Sequence, residues 1–317
     1  MERDATRIFK RYEGNPLLDV KDYPGIAQLY NPSPVMYGDE TILLVSVVEH
    51  AATRGFGRDV GQTRIARSKD GINFTLSKEN FIKMDDEKYP NNLFHHFIDN
   101  RTTKIGDTYY MVTPVMVKGY GSPIGYLGYT KDFETYTPVA PITAPCNRGA
   151  SLFPEKIGGR YYKLDRPGTP GVPGDIWISN SDDLVRWGDF KPVLAGGDRF
   201  WNSYKIGPTP PIKTDKGWLT IIHGVYRPGA GQQYYLGAML LDLEEPWKVI
   251  GKTNSYILGP EEWYELHGNS DNTCFACGAI ADYEKDEIRL YYGATDKYIC
   301  LATGSLSELV EACIDGI

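Results

Sequence analysis

A polar turn followed by an apolar, aromatic-rich strand recurs five times along the chain, and this repeat restricts the possible folds more than any other feature. The five strands are predicted at residues 41–45, 108–112, 161–164, 218–222 and 288–292. A second strand follows each of them, at residues 64–67, 125–129, 175–178, 235–239 and 298–302. Three of these second strands run into a related polar motif at residues 68–74, 130–136 and 181–187.

A repeat of roughly 50–70 residues built only from strands and turns is typical of a propeller blade. Five copies fill the 317 residues, and the 34 glycines, 21 prolines and 23 tyrosines favour short strands joined by turns. The sequence therefore predicts an all-β fold, a five-bladed β-propeller formed as a single domain by residues 1–317. Residues 305–314 have a capping box and an amphipathic pattern, which predict one short C-terminal helix.

Composition and charge exclude several classes of function. The net charge is −7 and no basic stripe is present, which argues against a nucleic-acid partner. No apolar run is long enough to cross a membrane and the N-terminus lacks an apolar signal region, so we expect a cytoplasmic protein with no membrane partner. The five cysteines are irregularly spaced, which predicts reduced thiols, and the Cys274–Cys277 pair is interpreted as buried structure. We expect neither a metal nor an organic cofactor.

The innermost strand of each propeller blade lines a central channel, so polar residues at these strands should converge. Polar or small residues precede the repeated turns at residues 30–33, 99–101, 147–149, 201–205 and 270–272. Such a ring of amides, carboxylates and cations, with aromatic rings nearby, is suited to binding a sugar. Asp99 and Arg101 lie two residues apart, so on an extended strand the arginine would share a face with the acid and tune its pKa. By the same alternation, at most one of His95 and His96 faces a ligand.

Several segments resemble glycoside hydrolase family 130, the family of β-mannoside phosphorylases and related β-mannosidases. The matching segments are residues 11–18, 66–72, 99–101, 147–148, 152–157, 205–207, 223–225, 236–243 and 291–296. They occur in the family's order over nearly the whole chain. The family fold is a five-bladed propeller, which agrees with the repeat count.

The resemblance implies roles for individual residues. Asp99 falls at the family's catalytic acid, which protonates the glycosidic oxygen through the sugar's 3-hydroxyl while inorganic phosphate attacks the anomeric carbon from the opposite face. Four residues match or lie near phosphate-contacting positions: Arg148, Arg166, His223 and Tyr234. Asp296 matches a position that holds the sugar. The remaining predicted substrate contacts are Asn31, Arg54, Arg101, Asn147, Lys205 and Asp271.

The sequence departs from the family pattern beside the acid, where Asn100 replaces the usual proline, and around residues 271–276. The leading hypothesis is an inverting β-mannoside phosphorylase that uses a β-mannoside oligosaccharide and inorganic phosphate as co-substrates. One alternative is a β-mannosidase, which needs a second carboxylate as base, with Asp271 or Glu49 as candidates. Another is a non-catalytic glycan-binding propeller. The sequence does not specify the linkage or the acceptor sugar, and it is compatible with a monomer or a homo-oligomer.

Overall fold

The computed structural model describes residues 4–50, 61–84, 94–119, 121–168, 174–229 and 231–316. Within these ranges the strands form five antiparallel sheets that follow one another along the chain. The predicted five-bladed β-propeller is confirmed. Each sheet is one blade, and the blades are numbered here in chain order.

Two short strands precede the first complete blade, β1 (Lys10–Arg11) and β2 (Leu18–Asp19). Blade 1 contains β3 (Ile26–Tyr37), β4 (Glu40–Glu49), β5 (Gly61–Ser68) and β6 (Thr75–Leu76). Blade 2 contains β7 (Phe94–His95), β8 (Arg101–Ile105), β9 (Thr108–Val117), β10 (Pro123–Thr130) and β11 (Thr137–Pro141). Blade 3 contains β12 (Ser151–Leu152), β13 (Tyr161–Asp165), β14 (Ile176–Ser181) and β15 (Gly188–Leu194).

Blade 4 contains β16 (Lys205–Pro208), β17 (Ile212–Lys213), β18 (Trp218–Tyr226), β19 (Gln233–Leu241) and β20 (Val249–Lys252). Blade 5 contains β21 (Cys274–Phe275), β22 (Ile280–Asp282), β23 (Glu287–Ala294) and β24 (Tyr298–Ser305), to which β1 and β2 also pair. The helices are α1 (Trp263–Leu266) and α2 (Leu306–Asp315), and short 3₁₀ turns cover Ala5–Arg7, Val20–Asp22 and Phe200–Asn202.

The first strand of the chain completes the last blade and so closes the ring. Lys10 and Arg11 pair with Thr303 and Ala302 of β24. The Arg11 guanidinium donates to both carboxylate oxygens of Glu265, at 2.8 and 2.9 Å, and the Glu265 side chain is fully buried. This ion pair joins the closing strand to the segment that leads into the channel strand β21.

The polar motif after the second strands is a turn built around an aspartate. Asp70, Asp132 and Asp183 each accept hydrogen bonds from the backbone N–H groups two and three residues later. The carboxylate oxygens thus accept hydrogen bonds from N–H groups in the turn, where the backbone does not pair with another strand. Asp242 forms the same turn in blade 4, a copy that the search for repeats within the sequence missed. In blade 5 the corresponding position begins α2, whose first turn Ser305 caps by accepting from the Glu308 amide at 3.1 Å.

Helix α2 packs its apolar face on blades 4 and 5, with Leu306, Leu309, Val310 and Cys313 buried, which confirms the predicted amphipathic helix. Four of the five cysteines are buried, all five are free thiols, and burial raises the pKa of Cys277 to about 12. The interpretation of the Cys274–Cys277 pair as buried structure is therefore confirmed. Among the residues with described structure, no helix has the length and apolar character needed to span a bilayer.

The innermost strands are irregular where they reach the channel. β7 and β8 both pair with β9, and residues 96–100 between them lie outside both strands, while β3 shifts its register between Tyr30 and Ser33. Asn31 and Asp99 both have left-handed backbones, with φ of 49° and 55°. Breaks of this kind re-aim side chains and are common beside active sites. They turn the polar segments predicted from the sequence towards one cavity.

Candidate active site

A cavity of about 240 Å³ lies where the innermost strands of all five blades converge. Its charged lining consists of Asp99, Asp296, Arg101, Arg148, Arg166 and Lys205. Its other polar and aromatic lining includes Tyr30, Asn31, His96, His223, Tyr234, Ser270, Thr273 and Phe275. Nine of the sequence-predicted site residues thus share one cavity, and one histidine of the tandem pair, His96, lines it as well.

The carboxylate of Asp99 is deeply buried in the cavity, with only 3% of the residue exposed. Its backbone N–H donates to Ser46 Oγ at 2.9 Å, which fixes the left-handed turn. The Asn31 amide nitrogen donates to Asp99 Oδ1 at 2.6 Å. This hydrogen bond joins the irregular part of β3 to the segment between β7 and β8, so a blade 1 residue helps to hold Asp99 of blade 2.

The cation on the Asp99 carboxylate is Arg148 of blade 3. Its Nε and Nη2 lie 3.1 and 2.8 Å from Asp99 Oδ2. The sequence predicted that Arg101 would share a strand face with Asp99 and tune its pKa; its charge does lower that pKa, but the shared strand face is wrong. Because Asp99 has φ of 55°, it lies outside strand β8, and Arg101 Nη1 instead donates to the Asp99 main-chain oxygen.

Two opposing effects act on the pKa of Asp99. Burial raises it, but the charges of Arg148 and Arg101 and the hydrogen bonds from Asn31 and Arg148 outweigh burial and hold the pKa below its ordinary value. The unliganded site therefore contains an ionised Asp99. An acid that must deliver a proton needs a further negative charge nearby to take its proton up.

The cavity lining beside Asp99 carries positive charge in excess. Arg166 Nε donates to the main-chain oxygen of Arg148 at 3.0 Å, so the two arginines lie side by side. Burial and the charges of Arg148 and Arg101 lower the pKa of Arg166 to about 10. Burial and the charges of Arg166 and Arg148 lower the pKa of Lys205 to about 8. Such mutual repulsion is relieved by a bound anion, and guanidinium forks match the oxygens of a phosphate.

His223 is buried beside these cations as a neutral ring. Burial and the neighbouring Arg166 and Arg101 charges hold its pKa well below the ordinary value, and its Nδ1 has no hydrogen-bond partner. A Cβ on Gly207, its cross-strand neighbour, would stand 2.3 Å from the ring, so the glycine makes room for the imidazole. A buried ring nitrogen that has no hydrogen-bond partner and lies beside an anion site can form a hydrogen bond with a ligand oxygen.

An aromatic wall completes the site. The His223 and Phe275 rings lie 4.6 Å apart, and Tyr234 lies 6.0 Å from Phe275. Lys205 Nζ lies 5.2 Å from the Tyr234 ring centroid. The sequence alone did not identify Phe275 as a site residue, because Phe275 lies between two cysteines in a segment that was interpreted only as a buried apolar strand. The expected convergence of the innermost strands was the one signal that could have identified it.

Asp296 is the second carboxylate in the cavity. It has a left-handed backbone with φ of 55°, and burial and the charge of Asp99 raise the pKa of its carboxyl to about 6. At neutral pH it is mostly ionised, and it can accept hydrogen bonds from sugar hydroxyls. Below about pH 6 it would carry a proton.

Some predicted residues lie elsewhere. Asn147 is buried behind the cavity wall, and the exposed Asp271 accepts from the Gly268 amide at 2.9 Å. Glu49, the other candidate base, is exposed and paired with Arg64. Arg54 falls outside the described residues. Within the described ranges, no group of three or more His, Cys, Asp or Glu side chains could hold a metal ion.

Sequence and structure comparisons place this site in a family. A sequence profile of glycoside hydrolase family 130, described as β-1,4-mannooligosaccharide phosphorylase, matches residues 2–315. The chain belongs to glycoside hydrolase family 130. A β-1,4-mannooligosaccharide phosphorylase of Ruminococcus albus is 32% identical to it over 314 residues, 97% of this chain and 91% of the relative. A β-1,2-mannobiose phosphorylase of Listeria innocua is 39% identical over 251 residues, 78% of this chain and 67% of the relative.

The fold of this family member also matches solved structures. The structure of the Listeria innocua β-1,2-mannobiose phosphorylase in complex with β-1,2-mannobiose superposes with a TM-score of 0.85 at 30% identity. That superposition covers 96% of this chain and 99% of the other. The recognition made from scattered sequence segments is confirmed.

Proposed function

We propose that this protein is an inverting phosphorylase of β-mannosides, which converts a β-mannoside oligosaccharide and inorganic phosphate to α-mannose 1-phosphate and a shortened sugar. The observation that carries the proposal is the grouping of Arg148, Arg166 and Lys205, called here the phosphate wall, beside the buried acid Asp99. The family membership and the phosphorylase relatives support the same activity.

In this proposal Asp99 supplies the proton that the leaving sugar needs. Asn31 and Arg148 fix its carboxylate, and the sugar's 3-hydroxyl would relay the proton to the glycosidic oxygen. Phosphate, already an anion, would attack the anomeric carbon from the opposite face and form the new C–O bond as the glycosidic C–O bond breaks. Attack from the opposite face inverts a β-mannoside to an α-phosphate.

Arg148 links phosphate binding to the protonation state of Asp99. Its guanidinium binds Asp99 Oδ2, but 46% of the Arg148 side chain is exposed and the residue lines the cavity, so an anion there can share the guanidinium. The negative charge of phosphate raises the pKa of a nearby carboxyl, and sharing Arg148 weakens the contact that holds the pKa of Asp99 down. Phosphate would therefore supply both the nucleophile and the condition under which the acid becomes protonated.

Hydrolysis by water would require a carboxylate base across the channel from the acid. The two candidates predicted for that role, Asp271 and Glu49, do not line the cavity. Asp296 does line it, but it shares the cavity with Asp99, and burial and the charge of Asp99 raise the pKa of its carboxyl. The excess of cations in the described site thus favours phosphate over water as the nucleophile.

The proposal is tested by incubating the protein with a panel of β-1,2-, β-1,3- and β-1,4-linked mannobioses, with and without inorganic phosphate. Mannose 1-phosphate that forms only in the presence of phosphate supports it and also identifies the linkage. Free mannose released at the same rate in both reactions would contradict it. No cofactor need be added, because only phosphate is proposed as co-substrate.

A further inference from the structure

The arginines on the phosphate wall lie on two chain segments that pair with each other. Asn147 and Pro167 form an antiparallel bridge, and the Gly168 N–H donates to the Cys146 oxygen at 2.8 Å. Arg148 follows one member of the bridge and Arg166 precedes the other. The spacing and orientation of the two guanidinium groups therefore depend on how these short segments are held together.

The side chain of Asn147 joins the two segments from behind the cavity. Its Nδ2 donates to Asp165 Oδ1 at 2.9 Å, and its Oδ1 accepts from the Arg166 backbone N–H at 3.2 Å. Both ends of the amide are thus engaged within the protein. Asn147 is 7% exposed and does not line the cavity, so it makes no contact with the space where substrates would bind.

Asp165 is itself anchored in the interior of blade 3. It is 1% exposed, and its Oδ2 accepts from Lys163 Nζ at 2.6 Å and from Ser179 Oγ at 2.7 Å. Lys163 is also 1% exposed, and its ammonium lies 4.9 Å from the Trp187 ring centroid. A buried carboxylate with three donors has little freedom to move, so it is a fixed reference point for Asn147.

We propose that Asn147, held by the buried Lys163–Asp165 pair, is a positioning residue that sets Arg148 and Arg166 for phosphate. This inference rests on the proposed phosphorylase function and replaces the sequence-based expectation that Asn147 contacts the substrate. Asn147 acts through the backbone of its neighbours and not on the reacting atoms. The predicted sugar contacts Asn31 and Asp296 come from blades 1 and 5, so they lie outside this network.

The test compares Asn147→Ala with Ser181→Ala by steady-state kinetics on whichever mannobiose the wild type cleaves. Asn147→Ala should raise KM for phosphate about tenfold or more and leave KM for the mannobiose within about twofold, because misplacement of binding groups weakens only their own ligand. Ser181→Ala removes a buried hydroxyl of the same strand as Ser179 that donates to Asp183 and not to Asp165, so both constants should stay within about twofold of wild type. A general loss of structure would raise both constants together.

Equal increases in the two KM values for Asn147→Ala, no increase in either, or the same phosphate-selective increase for Ser181→Ala would overturn the inference. If Asn147→Ala does not fold, Asn147→Ser keeps a small polar side chain too short to span both partners, and the same selective increase is expected. Phosphate binding measured by calorimetry separates the two proposals. If the wild type binds no phosphate, the proposed function is contradicted. If wild type and Asn147→Ala bind phosphate with equal affinity, only the positioning role of Asn147 is contradicted.

Discussion

Replacing Arg148 by alanine should have two separable consequences, because this side chain contacts the proposed acid and faces the proposed nucleophile. Its guanidinium makes two hydrogen bonds to Asp99, and the same planar fork can bind a phosphate. A hydrogen bond to a charged group contributes about 1.5–3 kcal/mol. Since 46% of the Arg148 side chain is exposed, water screens part of this interaction, and we take the lower value for each of the two bonds.

Two such contacts amount to about 3 kcal/mol of lost transition-state stabilisation, or roughly a 150-fold fall in kcat/KM for phosphate. The second consequence concerns pH. Arg148 lowers the pKa of Asp99, so its removal raises that pKa and the acid keeps its proton to higher pH. The alkaline limb of the pH–rate profile should therefore move to higher pH in Arg148→Ala.

The assay is the initial rate of mannose 1-phosphate formation over a range of phosphate concentrations and pH values. Arg148→Lys is the matched variant, because it keeps the charge but cannot form the fork, and its activity should lie between wild type and alanine. A loss of less than tenfold would refute the assigned contact with phosphate. An alkaline limb that stays in place or moves to lower pH would refute the assigned control of Asp99.

Three further predictions concern other residues. Asp99→Asn should lower kcat by about 10²–10⁴-fold, the usual contribution of a general acid, without abolishing phosphate binding measured by calorimetry; near-wild-type turnover would exclude Asp99 as the acid. Wild-type activity should fall as pH drops below about 6, where Asp296 becomes protonated, and this acid limb should be absent in Asp296→Asn; an unchanged limb would assign it to another group. Arg11→Ala leaves Glu265 buried without its cation and should lower the free energy of unfolding by about 3–5 kcal/mol in urea titrations. Arg7→Ala, which removes only an exposed ion pair with Asp4, should change it by less than about 1 kcal/mol, and equal effects of the two variants would contradict the closure role of Arg11.

The repeated strand pattern was sufficient to predict the fold because each blade needs the same order of turns and strands. A polar turn precedes the first predicted strand of each repeat, and an aspartate turn follows most of the second strands, so the repeat is visible in residue types alone. The fifth copy of the aspartate turn could not be found because helix α2 replaces it. The fourth, at Asp242, lacks the preceding serine or threonine of the other three copies and was missed.

The site was harder to predict where the backbone leaves the regular strand. The two-residue spacing of Asp99 and Arg101 favoured an ion pair on one strand face, but the left-handed backbone at Asp99 turns its carboxylate to Arg148 instead. Nothing in the sequence distinguishes Arg148, which faces the cavity, from its neighbour Asn147, which faces the interior. That difference depends on the pairing with residues 165–168, a contact between segments that residue types do not specify.

The most direct test of the phosphorylase proposal is to follow one reaction of a cleaved β-mannobiose with inorganic phosphate by ³¹P and ¹H NMR. Inorganic phosphate should disappear as α-mannose 1-phosphate appears, in a one-to-one ratio with the released sugar. Free mannose as the initial product, with the phosphate signal unchanged, would contradict phosphorolysis. A β-linked mannose 1-phosphate would contradict the inverting attack on which the assignment of Asp99 and the phosphate wall depends.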